Sequence, residues 1–479
     1  MIAPATKAIA FEAFADLGLG GPQQQRESHV VDRDDNAPRP PAFTDEAIAL
    51  RFAEQHRNDL RYVATWGRWM IWDGRKWGAD ETLAGFDYAR MICRAAAAEC
   101  NKPKVAANLA SAKTVAAVER LAKADRAIAA TATQWDADNW LLNTPDCVID
   151  LRTGARRAHC ADDYLTSITS VSPGGSCPLF QRFLTRVTDG DAELQAFLKR
   201  VAGYALTGST SAQALFFCYG TGGNGKGVFI NAVSGILNDY HKTSPIETFT
   251  ASSFAQHPTE LAGLRGARLV TANETEENRR WAEARIKALT GGDRISARFM
   301  RQDFFEFTPQ FKLLIAGNHK PGLRSVDEAM RRRFHLIPFT VTIPKEERDP
   351  DLTDKIRAEW PGILSWMIEG CLEWQRIGLA PPAAVTKATA EYLSSEDIVG
   401  SWIDDRCKRE PNAWTSSAAL YSDWKAWADA SSEQAGSTKT FTQKLVDRGF
   451  VPHRLNSGRG FYGLRLLSDM PETTGDYGK

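Results

Sequence analysis

One short stretch constrains this chain more than any other: YGTGGNGKGVF, from Tyr219 to Phe229. The apolar run ALFFCYG precedes the glycines, and the helix-like run GVFINAVSGIL follows them. A strand, a glycine loop and a helix in this order form a phosphate-binding loop, because backbone N–H groups and the helix N-terminus face phosphate oxygens and the lysine contacts the outer phosphates. The stretch therefore predicts a buried strand that ends at a phosphate site.

The pattern G-x-x-x-x-G-K-[ST] is complete except at its last position, where Gly227 replaces the hydroxyl that would bind Mg²⁺. Mg²⁺ keeps several waters and accepts nucleotide oxygens, so water can take the place of a missing hydroxyl. We expect weaker metal binding rather than an inactive site. The residues predicted to contact a nucleotide are Gly220, Thr221, Gly222, Gly223, Asn224, Gly225, Lys226 and Gly227.

Length and charge set wide limits on the rest. The chain has 479 residues, which predicts about two to four domains. Lys plus Arg and Asp plus Glu both total 59, so only local basic segments can indicate a polyanion partner. The eight cysteines are scattered without a C-x-x-C pair, which favours reduced thiols over a zinc module. No apolar stretch approaches about 18 residues, so we expect a soluble protein in the cytoplasm of a bacterial host, without a membrane partner.

Two turns in the first third of the chain predict small hairpins. Asp73-Gly74 lies between the aromatic-rich runs RWMIW and RKW, and a second turn lies near Thr153-Gly154. The tryptophans around the first turn could stack on bases, but packing in the core of a small hairpin is the better interpretation. The stretch between them, from about residue 86 to residue 130, is predicted to be mostly helical.

An acidic residue follows a second apolar run. In ARLVTANETEE, the predicted strand Leu269–Ala272 leads to Glu274. A carboxylate at a strand end beside the phosphate loop can hold Mg²⁺ through water or polarise an attacking water. We predict both roles for Glu274, and a solvated acidic helix start for Glu276 and Glu277.

A third apolar run and an arginine triplet complete this part of the chain. In FKLLIAGNHKP, the predicted strand Leu313–Ala316 ends at Asn318, whose amide could orient water beside a γ-phosphate. In DEAMRRRFHLIPF, an arginine at a subunit edge could reach a neighbour's γ-phosphate and stabilise transition-state charge. Arg331, Arg332 and Arg333 are consecutive, so they cannot all face one partner.

Taken in order, GTGGNGKG, LVTANETEE, KALTGGDRISARFMRQDFFEFTP, LLIAGNHKP and RRRFHLIPF resemble the motifs of phage and plasmid primase-helicases. Those proteins are superfamily-three helicases within the AAA+ ATPases. The resemblance extends over nearly all of Thr44–Leu466, and LLNTPDCVIDLRTGARRAHCADDYLTSIT is similar to the domain that precedes the ATPase in that family. It implies a homo-hexameric ring that threads one DNA strand and hydrolyses ATP, with Mg²⁺, between subunits.

The resemblance also implies roles for single residues. By position in the motifs, Lys226 is the phosphate-binding lysine and Glu274 the acidic-strand residue. Asn318 is the sensor, and Arg332 or Arg333 is the inter-subunit arginine finger. Gly227 departs from the family pattern, which has serine or threonine there.

The predicted fold class is α/β, with an AAA+ type P-loop ATPase core, a mainly helical N-terminal domain that carries small hairpins, and a C-terminal winged helix. Residues 1–42 are rich in Gly, Pro, Gln and charge and predict a disordered segment. The other predicted boundaries are 43–190 for the N-terminal α+β domain, 191–380 for the ATPase, 381–467 for a linker helix and winged helix, and 468–479 for a tail.

Two segments are predicted to contact DNA. RISARFMRQDFFEFTP alternates as a hairpin would, with Arg298 and Arg301 bracketing Phe299-Met300 near the tip. In the resembling family this region is a pore hairpin that grips single-stranded DNA, and cations with flat or soft groups suit that task. An ordinary surface hairpin is the alternative.

The second segment, from Trp414 to Leu467, reads as two helices and two short strands, which fits a winged helix. Its second helix would begin near Thr440. Most winged helices of this size bind duplex DNA, but some mediate only protein contacts. The basic residues on this helix and the wing are Lys439, Lys444, Arg448, Arg454 and Arg459, of which Lys444 and Arg459 are the predicted DNA contacts.

The leading hypothesis is an ATP-dependent DNA helicase of a phage or plasmid-like element that acts on single-stranded and forked DNA. The alternative is an ATP-binding initiator or loader that assembles on DNA without unwinding it, with Gly227 as the sign of slow turnover. A small-molecule phosphotransferase ranks lower, because it has no use for the arginine triplet or the winged helix. No paired-carboxylate strand for primer synthesis appears, so a separate primase would have to supply that activity.

Overall fold

The computed structural model describes residues 39–251, 258–273, 279–301, 303–323, 326–431, 433–456 and 458–469. The predictions for residues 1–38, for Glu274 and its acidic neighbours, and for residues 470–479 lie outside this range. The described chain divides into two compact units. One contains the residues up to Ile71 and Ala79–Ala132, and the other contains Trp72–Gly78 and the residues from Thr133 on. The predicted N-terminal domain had grouped residues 133–190 with the first unit.

The first part of the chain is mainly helical, as predicted. Thr44 caps its first helix by accepting a hydrogen bond from the N–H of Ala47 at 3.3 Å. Its elements are α1 (Asp45–His56), β1 (Leu60–Val63), β2 (Arg68–Trp72), β3 (Trp77–Ala79), α2 (Ala84–Glu99), α3 (Pro103–Leu109), α4 (Ala112–Ala122) and β4 (Ala129–Ala130). Strand β1 pairs antiparallel with β2 and parallel with β4.

The predicted turn at Asp73-Gly74 is present. The Asp73 N–H donates to the Lys76 carbonyl at 3.1 Å, and Asp73 Oδ1 accepts from the N–H groups of Arg75 and Lys76. Trp69 and Trp77 are buried, so they pack in cores as the structural interpretation predicted.

The part of the second unit from Thr133 on contains the other predicted hairpin and a five-stranded sheet. The Gly154 N–H donates to the Asp150 carbonyl at 2.7 Å and closes the turn of that hairpin. The elements up to the sheet's last strand are β5 (Leu141–Asn143), β6 (Val148–Asp150), β7 (Ala155–Arg157), α5 (Pro178–Val187), α6 (Ala192–Ala205), β8 (Leu215–Tyr219), α7 (Lys226–Leu237), β9 (His241–Thr243), α8 (Pro258–Ala262), β10 (Leu269–Asn273), α9 (Glu283–Gly291), β11 (Ile295–Ala297), β12 (Phe305–Phe307), β13 (Lys312–Gly317), α10 (Glu328–Arg331) and β14 (Phe334–Pro338).

The five-stranded sheet is parallel throughout and has the order β14-β8-β13-β10-β9. Strand β8 illustrates why its sequence is a continuous apolar run. Phe216 and Cys218 pack into one hydrophobic core, and Leu215 and Phe217 pack into the core on the opposite face. A strand that is buried on both faces has no polar positions to alternate with.

The sheet fixes where the site must lie. Because the strands are parallel, all their carboxyl ends meet at one edge. The chain moves from β8 to the far strand β9 and later returns to the other side of β8 with β14. The crevice at such a reversal of strand order is the preferred ligand position in open α/β sheets.

The remaining helices of the sheet region are α11 (Leu352–Ala358), α12 (Trp360–Ile377) and α13 (Ala383–Ser395). Helix α13 follows Pro382 and lies where the linker helix is predicted. The C-terminal module consists of α14 (Ile398–Arg406), β15 (Cys407–Ser416), α15 (Ser417–Ala430), α16 (Thr438–Asp447), β16 (Pro452–Leu455) and β17 (Gly458–Leu466). Its strands form an antiparallel sheet of order β15-β17-β16. Across the described ranges, every helix is too short or too polar to cross a lipid bilayer.

Candidate functional site

The glycine-rich loop connects β8 to α7 at the carboxyl edge of the parallel sheet, as predicted. Gly220 opens it where no side chain fits, because a Cβ there would lie 2.0 Å from the carbonyl oxygen of Phe339. The same carbonyl accepts a hydrogen bond from Asn224 Nδ2 at 2.8 Å. Asn224 is 3% exposed. Its side-chain amide thus anchors the loop to the residue that follows β14.

A segment that follows β14 lies along the loop. The Ile343 N–H donates to the Gly223 carbonyl at 2.9 Å. Thr221 Oγ1 lies 3.4 Å from Thr342 Oγ1. On the side of α5, a Cβ at Gly225 would lie 2.6 Å from Val187 Cγ1. The loop is therefore enclosed between α5 and the segment after β14.

Lys226 and Asn318 meet at this edge although they lie far apart in sequence. Lys226 Nζ donates to the Asn318 side-chain oxygen at 3.2 Å and to the Gly220 carbonyl at 2.5 Å. Burial lowers the pKa of Lys226 below its usual value, since a low-dielectric site disfavours the ammonium. Lys226 is 8% exposed, and among the described residues no carboxylate bonds to it.

Gly227 occupies the second position of α7 and is exposed. A Cβ placed on it would meet nothing within 4 Å. The absence of a hydroxyl therefore has no steric cause within the described chain.

Few of the described side chains near the loop could bind Mg²⁺. Among the described residues, no three His, Cys, Asp or Glu side chains cluster as metal ligands. Glu274, the predicted ligand, directly follows β10, which lies next to the Asn318 strand β13. The loop offers backbone N–H groups and an ammonium, a donor set that fits phosphate oxygens rather than a bare cation.

The three consecutive arginines have three different surroundings. Arg333 is 5% exposed; its Nε donates to Thr290 Oγ1 at 3.1 Å and its Nη1 to the Ala329 carbonyl at 2.8 Å. Arg331 is exposed, and its Nη2 lies 3.8 Å from an oxygen of Asp397. Arg332 is exposed and forms no ion pair among the described residues.

The predicted hairpin is present as antiparallel β11 and β12. Its tip exposes the side chains of Phe299 (41%), Met300 (69%) and Phe304 (58%). Arg298 lies over the Phe304 ring, 4.6 Å from its centroid, and Arg301 is exposed. Cations and apolar groups thus share this tip, as the sequence predicted.

The basic residues of the C-terminal module divide into two sets. Lys444 is partly buried, and burial together with Arg448 lowers its pKa. Arg448 forms an ion pair with Asp397, the N-cap of α14. Arg454 and Arg459 face each other across β16 and β17 and are exposed. Arg459 is therefore more accessible to an external ligand than Lys444 is.

Two cations beside the loop were missed. Lys320 lies over the Tyr219 ring, 4.2 Å from its centroid. It comes two residues after Asn318 in the run FKLLIAGNHKP. Arg348 lies against Gly223: a Cβ there would be 2.3 Å from Arg348 Nη2. Its sequence, PKEERDP, is an unremarkable charged run, so only the tertiary contact reveals this position.

Two family profiles match parts of the chain. One, described as "D5 N terminal like", matches residues 49–189. The other, described as "Family of unknown function (DUF5906)", matches residues 218–333.

Two viral proteins are similar at modest identity. "Putative helicase L207/L206" of Acanthamoeba polyphaga mimivirus is 25% identical over 351 residues, which cover 67% of this chain and 36% of that protein. "Putative helicase 022R" of Frog virus 3 (isolate Goorha) is 26% identical over 265 residues, which cover 50% of this chain and 27% of that protein. The chain thus spans only about a third of the length of these relatives.

A solved structure, the A form apo structure of the NrS-1 C terminal region, has a TM-score of 0.46 and 10% identity to this chain. The match covers 87% of this chain and 98% of that one, but similarity at this level carries no argument about function. The family profiles and the viral relatives support a relationship to phage and viral primase-helicase-like proteins.

Proposed function

We propose that this protein is an ATP-dependent DNA helicase that works in the replication of a phage, plasmid or viral genome. The hydrogen bond between Lys226 and Asn318 carries the proposal. It brings a phosphate-binding lysine and a water-orienting amide together at the carboxyl edge of a parallel sheet. The names of the viral relatives, both called helicases, support the same activity.

The proposed site holds the phosphates of ATP on the backbone of residues 220–225 and on Lys226. Asn318 orients the attacking water, and Glu274 polarises it and binds Mg²⁺ through water. When bound, Mg²⁺ would supply positive charge that offsets the charge of the phosphates. With strand order β14-β8-β13-β10-β9, the loop and Asn318 end neighbouring strands, which supports an AAA+ type core.

Arg332 is the proposed inter-subunit finger. Arg333 is buried against Thr290, and Arg331 lies near Asp397. Arg332 alone of the triplet combines exposure with the absence of an ion pair among the described residues, so its guanidinium is available to a neighbouring subunit in a ring, which we take to be a homo-hexamer.

The hairpin tip and the C-terminal module are the proposed DNA contacts. Arg298 and Arg301 would neutralise phosphates of a single strand while the exposed tip side chains contact bases. The element order α14-β15-α15-α16-β16-β17 supports a winged helix, with Arg459 on the wing. A separate primase remains the proposed source of primers.

The test is Mg²⁺-dependent ATP hydrolysis with and without single-stranded DNA, together with strand displacement on a forked substrate. Wild type should hydrolyse ATP faster with DNA and unwind the fork, whereas Lys226→Ala should lose at least about 100-fold in turnover. Two results together would overturn the proposal in favour of a small-molecule phosphotransferase. The rate of ATP hydrolysis would be the same with and without DNA, and the chain would stay monomeric with ATP.

Gly227 favours one second candidate, an initiator or loader that binds ATP and assembles on DNA without unwinding. The missing hydroxyl weakens the metal site on which turnover depends. If wild type is silent and Gly227→Ser restores hydrolysis, the loader replaces the helicase.

A further inference from the structure

Arg348 is a charged side chain that lies against the glycine-rich loop without being part of it. Its Nη2 occupies the space where a side chain on Gly223 would begin, 2.3 Å from the position of a Cβ there. Gly223 has a φ of +74°, which glycine adopts without strain. The loop backbone is thus bare at the point where the guanidinium approaches it.

Two hydrogen bonds hold the Arg348 guanidinium beside the loop. Arg348 Nε donates to the Ile343 carbonyl at 2.9 Å, and the Ile343 N–H donates to the Gly223 carbonyl at 2.9 Å. Ile343 therefore links the arginine and the loop on its two backbone groups. This arrangement uses Nε and leaves the two terminal nitrogens of the guanidinium for another acceptor.

The carboxylates that flank Arg348 in sequence are committed elsewhere. Glu347 pairs with Arg186, with Arg186 Nε 3.0 Å from its Oε2. Asp349 pairs with Lys355 at 2.6 Å. Within the described ranges, no carboxylate forms an ion pair with Arg348. The guanidinium of Arg348 therefore lies beside the loop, exposed and without a carboxylate partner among the described residues, and it can bind an anion from outside the chain.

We propose that Arg348 binds a phosphate of the nucleoside polyphosphate held by the loop, as a cation supplied in cis from the segment after β14. This inference rests on the proposed function, because it assumes that the loop holds a nucleotide. A guanidinium suits phosphate oxygens, since two of its N–H groups can bond one phosphate group in parallel.

The same proposal accounts for a loop that lacks its last hydroxyl. Without a side-chain ligand at Gly227 to help retain the metal, part of the phosphate charge must be neutralised by the protein itself. Arg348 adds a second cation to that of Lys226, and it comes from the segment after β14, outside the loop. Nucleotide binding should therefore persist when Mg²⁺ is withdrawn.

The test is nucleotide binding, measured by titration calorimetry with ADP and a non-hydrolysable ATP analogue, with and without Mg²⁺. Arg348→Ala should weaken binding about tenfold, and more without the metal than with it. Arg348→Lys keeps the charge but not the bond to Ile343, so it should recover part of the loss. Lys345→Ala removes another exposed cation of the same segment and should leave the affinity within about twofold of wild type.

The outcomes separate this inference from the proposed function. If wild type binds nucleotide, Lys226→Ala abolishes binding and Arg348→Ala changes nothing, Arg348 is not a ligand and the proposed function stands. If Arg348→Ala weakens binding no more without Mg²⁺ than with it, the arginine acts through its bond to Ile343 and the phosphate contact is wrong. If wild type binds no nucleotide, both proposals fail. Thermal unfolding without nucleotide should be the same for wild type and for the variants of the exposed Arg348 and Lys345, which excludes misfolding as the cause.

Discussion

The phosphate loop and the hairpin tip are both short connections in the same unit, but their surroundings are opposite. Two loop positions, Gly220 and Gly225, leave no room for a side chain, since a Cβ at each would lie within 2.6 Å of another residue. At the tip, the large side chains point outward, and Met300 is 69% exposed. One region presents its backbone, and the other presents its side chains.

The difference matches the two kinds of recognition that we propose for these regions. Phosphate is bound by backbone N–H groups, which must come close to it, and contacts with Phe339, Ile343 and Val187 hold the loop in place. A single DNA strand of any sequence is bound by cations and flat surfaces that tolerate variation. Substitutions should therefore harm the loop through sterics and the tip through chemistry, and four experiments test this contrast.

The largest effect should come from Gly220→Ala. The new Cβ would lie 2.0 Å from the Phe339 carbonyl oxygen, so the loop or the segment after β14 must move. We expect a loss of about 3 kcal/mol or more in the free energy of unfolding and no measurable ATP binding. Gly222→Ala is the matched control, because a Cβ there meets nothing within 4 Å. Equal damage from both variants would show that the loop is not enclosed as described.

The next effect concerns the tip. Replacing Arg298 and Arg301 together with alanine should weaken single-stranded DNA binding about tenfold at low salt and reduce the salt slope by about one to two. Thermal stability and nucleotide affinity should not change, because both side chains are exposed. Arg294→Ala, at the base of the hairpin, is the control, as Arg294 Nη1 lies 3.9 Å from Glu306. If the control weakens DNA binding equally, the contact is general surface charge.

Raising the pH should weaken nucleotide binding while DNA binding persists, and this effect should be smaller than the two above. Burial lowers the pKa of Lys226 below its usual 10.5, so this ammonium is charged below its folded pKa and becomes neutral as the pH rises through it. Nucleotide affinity should fall severalfold at a lower pH than an ordinary lysine would require. Binding to oligo-dA, whose bases do not titrate there, should persist, since arginine stays protonated. If nucleotide affinity stays constant up to the pH at which an ordinary lysine loses its proton, Lys226 is not the group responsible.

The smallest effect on stability should come from Gly227→Ser. A Cβ there meets nothing within 4 Å, so the free energy of unfolding should change by no more than about 0.5 kcal/mol. The Mg²⁺ concentration for half-maximal ATP hydrolysis should fall, because a hydroxyl ligand is restored. Gly227→Ala adds the Cβ without the hydroxyl and should keep the wild-type metal requirement; a shift for alanine as well would point to the helix and not to the metal.

Local patterns predicted the sheet well. The strands around Leu215, Leu269 and Leu313 were visible because each is a run of apolar residues that is buried on both faces. The loop followed from glycine spacing, and the hairpins from their turn residues. These features are encoded within a few neighbouring residues, and no distant contact is required to find them.

The surroundings of single cations were not predictable in this way. Whether Arg331, Arg332 or Arg333 is buried depends on Thr290 and Asp397, which belong to other helices. Lys444 and Lys439 share a helix, but only Lys439 is exposed. Arg348 lies against the backbone of Gly223, which is far away in sequence. Such contacts arise only when separate elements pack together.

The two hydrogen bonds of Lys226 have a consequence for how a ligand arrives. An ammonium has three N–H donors, and the described residues occupy two of them, through Gly220 and Asn318. One donor is left, on a side chain that is already fixed in direction. Ordering a lysine costs roughly 1.5–2 kcal/mol of rotamer entropy, and here that ordering has occurred before binding. A phosphate that binds as proposed would therefore contact an ammonium group whose position is already ordered.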